Sequence, residues 1–243
     1  MQNKRNVIKR ILFFIAYLLH HNHKSKVIYY HDVGTKYTEM GTDVDLIQHH
    51  IDIIRKSGYK IVPSITKEKG EVMICFDDGW AGIYDYKDEF VRQQIFPTIF
   101  IAVNLIGTKG YLTKSQIETL KSIGFQFEAH SWSHQDLTTF DDKELEHELK
   151  DSKKWLEEKF NHPFDAICFP MGRFSSLVKK KSLEFGYTDL YSSLPGAYYD
   201  MKDDKLICRN CAQNSSLSEL KWMLNGTSWI FMRKLYGQHF VKE

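Results

Sequence analysis

The sequence predicts an α/β fold: a parallel (β/α) barrel, complete or partial, in a single domain. Three observations carry this prediction. Short apolar runs rich in β-branched residues alternate with stretches of helical periodicity, the pattern of βαβ units with right-handed crossovers. Neither GxGxxG nor GxxxxGK[ST] occurs, which lowers the odds of a nucleotide enzyme; an open doubly wound sheet is the alternative arrangement. The polar clusters each follow an apolar run, and in a barrel those strand ends share one rim where active sites are built.

The elements follow in order. Lys26–His31 reads as a buried strand, and Asp43 as the N-cap of a helix with Val44, Ile47, Ile51 and Ile54 on one face, stopped by Gly58. Glu71–Phe76 is a strand, Asp77-Asp78-Gly79 a loop, Ile83–Gln94 a helix and Pro97–Val103 a strand. Thr113 and Gln116 make a capping box for a helix ending at Gly124. Phe125–His130 is a strand and Asp141–Phe160 one long charged helix. Ala166–Phe169, Thr188–Ser192 and Leu206–Arg209 are strands; Ser175–Phe185 and Leu217–Leu224 are helices. The run Trp229-Ile230-Phe231-Met232 is expected to dock on the barrel.

The chain has 243 residues, 42% hydrophobic and 26% charged, ordinary for a globular protein, and a net charge of +2. That balance lacks the strong positive field of many nucleic-acid binders, and no nucleic-acid partner is expected. Cys75, Cys168 and Cys208 sit in apolar runs and read as buried thiols. Cys208 and Cys211 have CxxC spacing but no accompanying pair for structural zinc. Residues 1–24 form a separate N-terminal segment, with residues 25–243 as the barrel domain. In it Lys4, Arg5, Lys9 and Arg10 precede the apolar run Ile11–Leu19, too short to span a bilayer. His20-His21-Asn22-His23 stands where a signal cleavage site needs small residues. A retained segment on the domain or at a membrane surface is therefore expected, in a cytoplasmic or membrane-associated protein, with an uncleaved signal anchor as the minority reading.

The predicted rim gathers His31, Asp77, Asp78, His130, His134 and Pro170-Met171-Gly172. Two imidazoles and a carboxylate, with an open position for water, suit a catalytic divalent metal, most often zinc. Of the two adjacent acids, one is expected to bind the metal and the other to accept a proton from water.

Phe76-Asp77-Asp78-Gly79, His130-Ser131-Trp132-Ser133-His134 and Phe169-Pro170-Met171-Gly172 resemble, in order, the first three motifs of the polysaccharide deacetylase family, carbohydrate esterase family 4 with its NodB homology domain. Tyr30-His31 and Pro97–Val103 add to the similarity, which runs from about Val27 to Arg209. The resemblance implies a distorted (β/α) barrel and a metal-dependent hydrolase that removes N-acetyl groups from amino sugars of a surface polysaccharide or its precursor. It makes Asp77 the general base and Asp78, His130 and His134 the metal ligands. Pro170 and Met171 carry the oxyanion loop, with the Met171 N–H as donor.

Three positions depart from the family pattern. Cys168 stands where an Arg often orients the base; Arg209 and Arg173 are the candidate substitutes. Met171 replaces a Tyr. The late Leu-x-x-His motif is missing, and His239 is the only late histidine. His31, on the rim, is therefore expected to act as the acid. Trp80 and Trp132 are the expected sugar-binding rings. Two alternatives are a hydrolase of another non-peptide C–N bond, and a sugar-binding module that keeps the metal but little activity.

Overall fold

The structure is a computed structural model that describes residues 22–201, 205–227 and 232–242. Residues 1–21, most of the basic-apolar segment, and residues 229–231 of the expected docking run lie outside it. Nine strands form the main sheet, every pair of them parallel. They are β1 (Lys26–Tyr30), β2 (Lys60–Ile61), β3 (Glu71–Phe76), β4 (Thr98–Ile101), β5 (Gln126–Ala129), β6 (Ala166–Cys168), β7 (Asp189–Tyr191), β8 (Leu206–Ile207) and β9 (Arg209–Cys211). The order is β8-β7-β6-β5-β4-β3-β1-β9, with β2 alongside the start of β3.

The barrel closes within one short segment. Leu206 and Ile207 pair with Leu190 and Tyr191 of β7, and Arg209 to Cys211 pair with Val27 to Tyr29 of β1. The predicted strand Leu206–Arg209 is thus two pieces hinged at Cys208, each bonded to a different neighbour. That hinge turns Arg209 into the barrel.

Strand side chains alternate between two packed layers, because successive Cβ atoms point to opposite faces. Val27 and Tyr29 of β1, Met73 and Cys75 of β3, Phe100, Cys168 and Tyr191 fill the interior. Ile28, Tyr30, Ile74, Phe76, Phe127 and Ile167 face outward under the helices. Burial on both faces gives β1 and β3 their continuous apolar runs. The next inward positions after Tyr29 and Cys75 are His31 and Asp77, so strand parity aims both at the barrel mouth.

Helix α1 (Val44–Lys56) starts at Asp43, whose carboxylate accepts from the N–H groups of Asp45 and Leu46. The capping box of Thr113 and Gln116 opens α2 (Lys114–Ser122) as predicted. The helix predicted over Ile83–Gln94 is two pieces, Gly82–Asp85 and Lys87–Arg92, that join at Tyr86. The long helix predicted from Asp141 is α-helical over Asp142–Leu145 and Ser152–Phe160, with a π turn over Glu146–Asp151 between them. Among the described residues no helix is long and apolar enough to cross a membrane. The C-terminal helix Met232–His239 returns to the rim, where Tyr236 and Phe240 pack on Phe174.

Candidate active site

Asp77 continues β3 inward and its N–H donates to the Tyr30 carbonyl. Arg209 grips its carboxylate at both oxygens, Nη1 to Oδ1 at 2.6 Å and Nη2 to Oδ2 at 2.8 Å. The guanidinium has no exposed surface. Its Nε–H donates to the Ser192 carbonyl, and its plane lies over the Tyr29 and Phe100 rings. Cys168, where the resemblance looked for an arginine, touches the same guanidinium at 2.9 Å. Of the two candidates, the structure brings Arg209 to Asp77; Arg173 instead pairs with Asp136. Burial pushes the Asp77 carboxyl up, but Arg209 outweighs it and holds it below the usual carboxylate range.

Asp78 points the other way. Its backbone is left-handed, φ +69°, and so are Ser131 and His134; such strain gathers at functional sites. Gly79 completes the turn at φ +78°, where a Cβ would lie 2.9 Å from Ile101. Asp78 Oδ1 faces His134 Nε2 at 2.9 Å and His130 Nε2 at 3.2 Å. Its other oxygen accepts from the Trp80 indole N–H at 3.1 Å. Burial opposes the charge on Asp78, but the two histidines hold its carboxyl well below the ordinary range.

These three side chains fit a cation. His130 Nδ1 lies 2.7 Å from the Cys168 carbonyl oxygen, which only accepts, so Nδ1 carries the hydrogen. In the neutral ring Nε2 is then a lone pair, facing a carboxylate oxygen that is also an acceptor. Acceptors turned on each other call for a cation between them or protons on the rings. The donor atoms of Asp78, His130 and His134 lie within 4.8 Å of one another. Asp77, His130 and Cys168 cluster as closely. There, however, the Arg209 guanidinium already supplies the positive charge, and burial pushes the thiol well up.

The loop that carries both histidines hangs on a residue the sequence reading missed. Glu148, buried on the π turn, accepts from the backbone N–H groups of Trp132 and Ser133. Trp132 packs its ring on His147 and Trp155, against the helix. Trp80 stacks on Tyr111 at 4.0 Å, a partner also missed; burial, then the Asp78 charge, push the Tyr111 hydroxyl up. Only its place in the loop after β4 hinted at it. Pro170 is buried, while Met171 is 56% exposed with φ +55°. His31 bonds Gln213 through Nδ1 and adds a favourable charge interaction at Asp77. His239 donates from Nδ1 to the Gly172 carbonyl at 3.0 Å, which sets it behind the same loop.

Fold and site together define a (β/α)-barrel protein with a candidate metal-ligand set and a separate arginine-held carboxylate in the barrel mouth. The sequence pattern of the family described as polysaccharide deacetylase matches residues 64–190, more than half of the chain. The chain belongs to that family. YxkH of Bacillus subtilis (strain 168), assigned by its name to the polysaccharide deacetylases, is 25% identical over 185 residues, 72% of this chain. The chain spans 66% of the length of that curated relative. The Streptococcus pyogenes deacetylase PplD, solved in complex with acetate, superposes with a TM-score of 0.73 at 20% identity. The match covers 83% of this chain and 98% of PplD. IcaB from Ammonifex degensii gives a TM-score of 0.72 at 15% identity, over 85% of this chain and 99% of that one. At these identities the structural likeness establishes the fold, a barrel of the kind predicted.

Proposed function

We propose that the protein is a metal-dependent hydrolase that removes N-acetyl groups from amino sugars of a surface polysaccharide or its precursor. The observation that carries this reading is the division of labour between adjacent carboxylates: Arg209 holds Asp77, while Asp78 turns to His130 and His134. Asp78, His130 and His134 would hold the ion, and two imidazoles with one carboxylate suit zinc. When bound, such an ion lowers the pKa of water and polarises a carbonyl oxygen.

The chain's own residues supply the rest. Asp77, ionised at neutral pH, accepts the proton of the attacking water. The Met171 N–H donates to the oxygen that gains charge as the amide carbonyl becomes tetrahedral. An amine leaves poorly as an anion, so the C–N bond breaks as His31 delivers a proton to nitrogen. The hydrogen bond from Nδ1 to Gln213 leaves His31 Nε2 for that transfer. Acetate and a free amino sugar result. Trp80 and Tyr111, stacked beside Asp78, offer a sugar a flat edge of the mouth. The basic-apolar segment before Asn22 fits peripheral attachment to a membrane surface.

Acetate release from N-acetylglucosamine oligomers tests this reading. The expected result is release that stops on chelation and returns when zinc is added. A metal-loaded protein that binds the oligomers and releases no acetate would favour a binding module.

A further inference from the structure

We propose that the end of the barrel opposite the active site is a docking face for an anionic lipid surface, so that the barrel mouth points away from the membrane. The inference rests on the reading of the N-terminal segment as interfacial, and adds the face and the orientation.

The chain enters the described structure at the bottom of the barrel, the N-terminal ends of the strands, and it is pinned there. The Asn22 N–H donates to the Asn225 carbonyl, Gly70 N–H to the His23 carbonyl, and Ser25 N–H to the Glu68 carbonyl. Lys26, fully buried, donates from Nζ to the Lys24 carbonyl, the Asn22 side chain and the Tyr59 hydroxyl. The His23 ring lies over Tyr59 and against Gly58 and Gly70. Four consecutive residues, Asn22–Ser25, are thus fixed where the basic-apolar segment meets the domain.

Lysines surround that point. Lys69 bridges Lys24 through the backbone, Lys60 N–H bonds the Gly70 carbonyl, and Lys56 ends α1 next to Gly58. Lys56, Lys60, Lys67 and Lys69 are exposed, and none takes part in an ion pair among the described residues. The acids nearby do not cancel them. Asp200 is held by Lys24, and Glu71 is buried with its oxygens accepting from the N–H groups of Thr66 and Lys67. The exposed acids beside the lysines are Glu68 and Asp52, the latter one turn before Lys56 on α1. Asp165 precedes β6, and Asp189 opens β7, where it lines a pocket with Tyr198, whose N–H donates to the Ser25 carbonyl.

Lys56, Lys60, Lys67 and Lys69 therefore form an exposed basic cluster beside the point where the chain enters this end. In the sequence, Lys4, Arg5, Lys9 and Arg10, then the apolar Ile11–Leu19, precede Asn22, the residue pinned at that end. One short apolar run alone anchors weakly, and a basic patch is the second signal that makes attachment stable. An apolar run beside basic groups matches lipid rather than a soluble polyanion.

The test is co-sedimentation of the full chain with vesicles of phosphatidylglycerol and phosphatidylcholine. Wild type is expected to bind the anionic vesicles. The variant Lys60→Glu/Lys67→Glu/Lys69→Glu is expected to bind about 100-fold more weakly, and Lys109→Glu/Lys114→Glu, on the rim side, to bind like wild type. A second readout follows orientation. A fluorophore on Cys211, the one exposed cysteine of the four, should stay open to aqueous iodide on the vesicles. If wild type binds and the triple variant binds equally, or if Cys211 becomes shielded, the docking face is wrong while the interfacial segment survives. If wild type binds no vesicle, the interfacial reading itself falls.

Discussion

Replacing Arg209 with Met separates the electrostatic role of this side chain from its bulk. The substitution keeps an apolar stem between Tyr29 and Phe100 and removes the charge that both Asp77 oxygens lean on. Breaking a buried pair from one side costs about 3–5 kcal/mol, because the remaining charge is left unpaired. The pH dependence gives the cause away. In the wild-type chain the Asp77 pKa is depressed, so its contribution is present above the unfolded carboxylate pKa and lost as pH falls through the folded one. Without Arg209, burial dominates and the folded pKa rises above the unfolded value, which reverses the sign: stability is lost as pH rises. Urea denaturation of Arg209→Met is therefore expected to show its full deficit at pH 7 and a smaller one near pH 4. Asp77→Asn in the same background should recover part of the pH 7 loss. Turnover should fall by about 10²- to 10⁴-fold, the range of a general base, with the acid limb of the rate profile moved to higher pH. A deficit independent of pH, with no recovery by Asp77→Asn, would make Arg209 a packing residue rather than the electrostatic partner of Asp77.

Three further outcomes follow from the geometry. Trp80→Phe frees Asp78 Oδ2 and should weaken zinc affinity by about 10- to 100-fold, measured by chelator competition; unchanged affinity would leave Trp80 only its stacking role. His31→Gln should retain metal and fold, and slow hydrolysis of the amide more than that of an activated ester, whose leaving group needs little protonation; equal slowing would turn attention to His239 beside Gly172. Glu128, whose carboxyl burial pushes up to about 8, contributes stability below the ordinary carboxylate pKa and loses it as pH rises through 8. Glu128→Gln should match wild type near pH 4.5 and gain about 2–4 kcal/mol on it by pH 9, read as denaturation midpoints; a constant difference would show that Glu128 does not titrate in the fold.

The barrel was legible because parallel strands buried on both faces leave long apolar runs, and because Thr113-x-x-Gln116 is a local signal. The motif residues were legible for the same local reason: each follows its strand directly. What escaped depends on distance along the chain. Arg209 and Arg173 are both candidates in the sequence, since the choice rests on where the Cys208 hinge closes the barrel, and pairing across 132 residues leaves no local trace. Glu148 was hidden by helical periodicity, which has no sign for a π turn. Trp132 reads as a rim ring by its place between two histidines, yet Glu148 holds its backbone and the indole packs on Trp155. The break at Tyr86 is likewise invisible to a pattern that continues in phase on both sides.

Metal stoichiometry of two variants separates the work of the neighbouring carboxylates Asp77 and Asp78. Asp77→Asn and Asp78→Ala are purified with wild type, and bound zinc is measured by elemental analysis alongside acetate release. Asp77→Asn is expected to keep about one zinc per chain and lose turnover. Asp78→Ala should lose the metal, because His130 and His134 alone leave the set one anionic ligand short. Equal metal loss in both variants, or full metal in Asp78→Ala, would contradict the assignment.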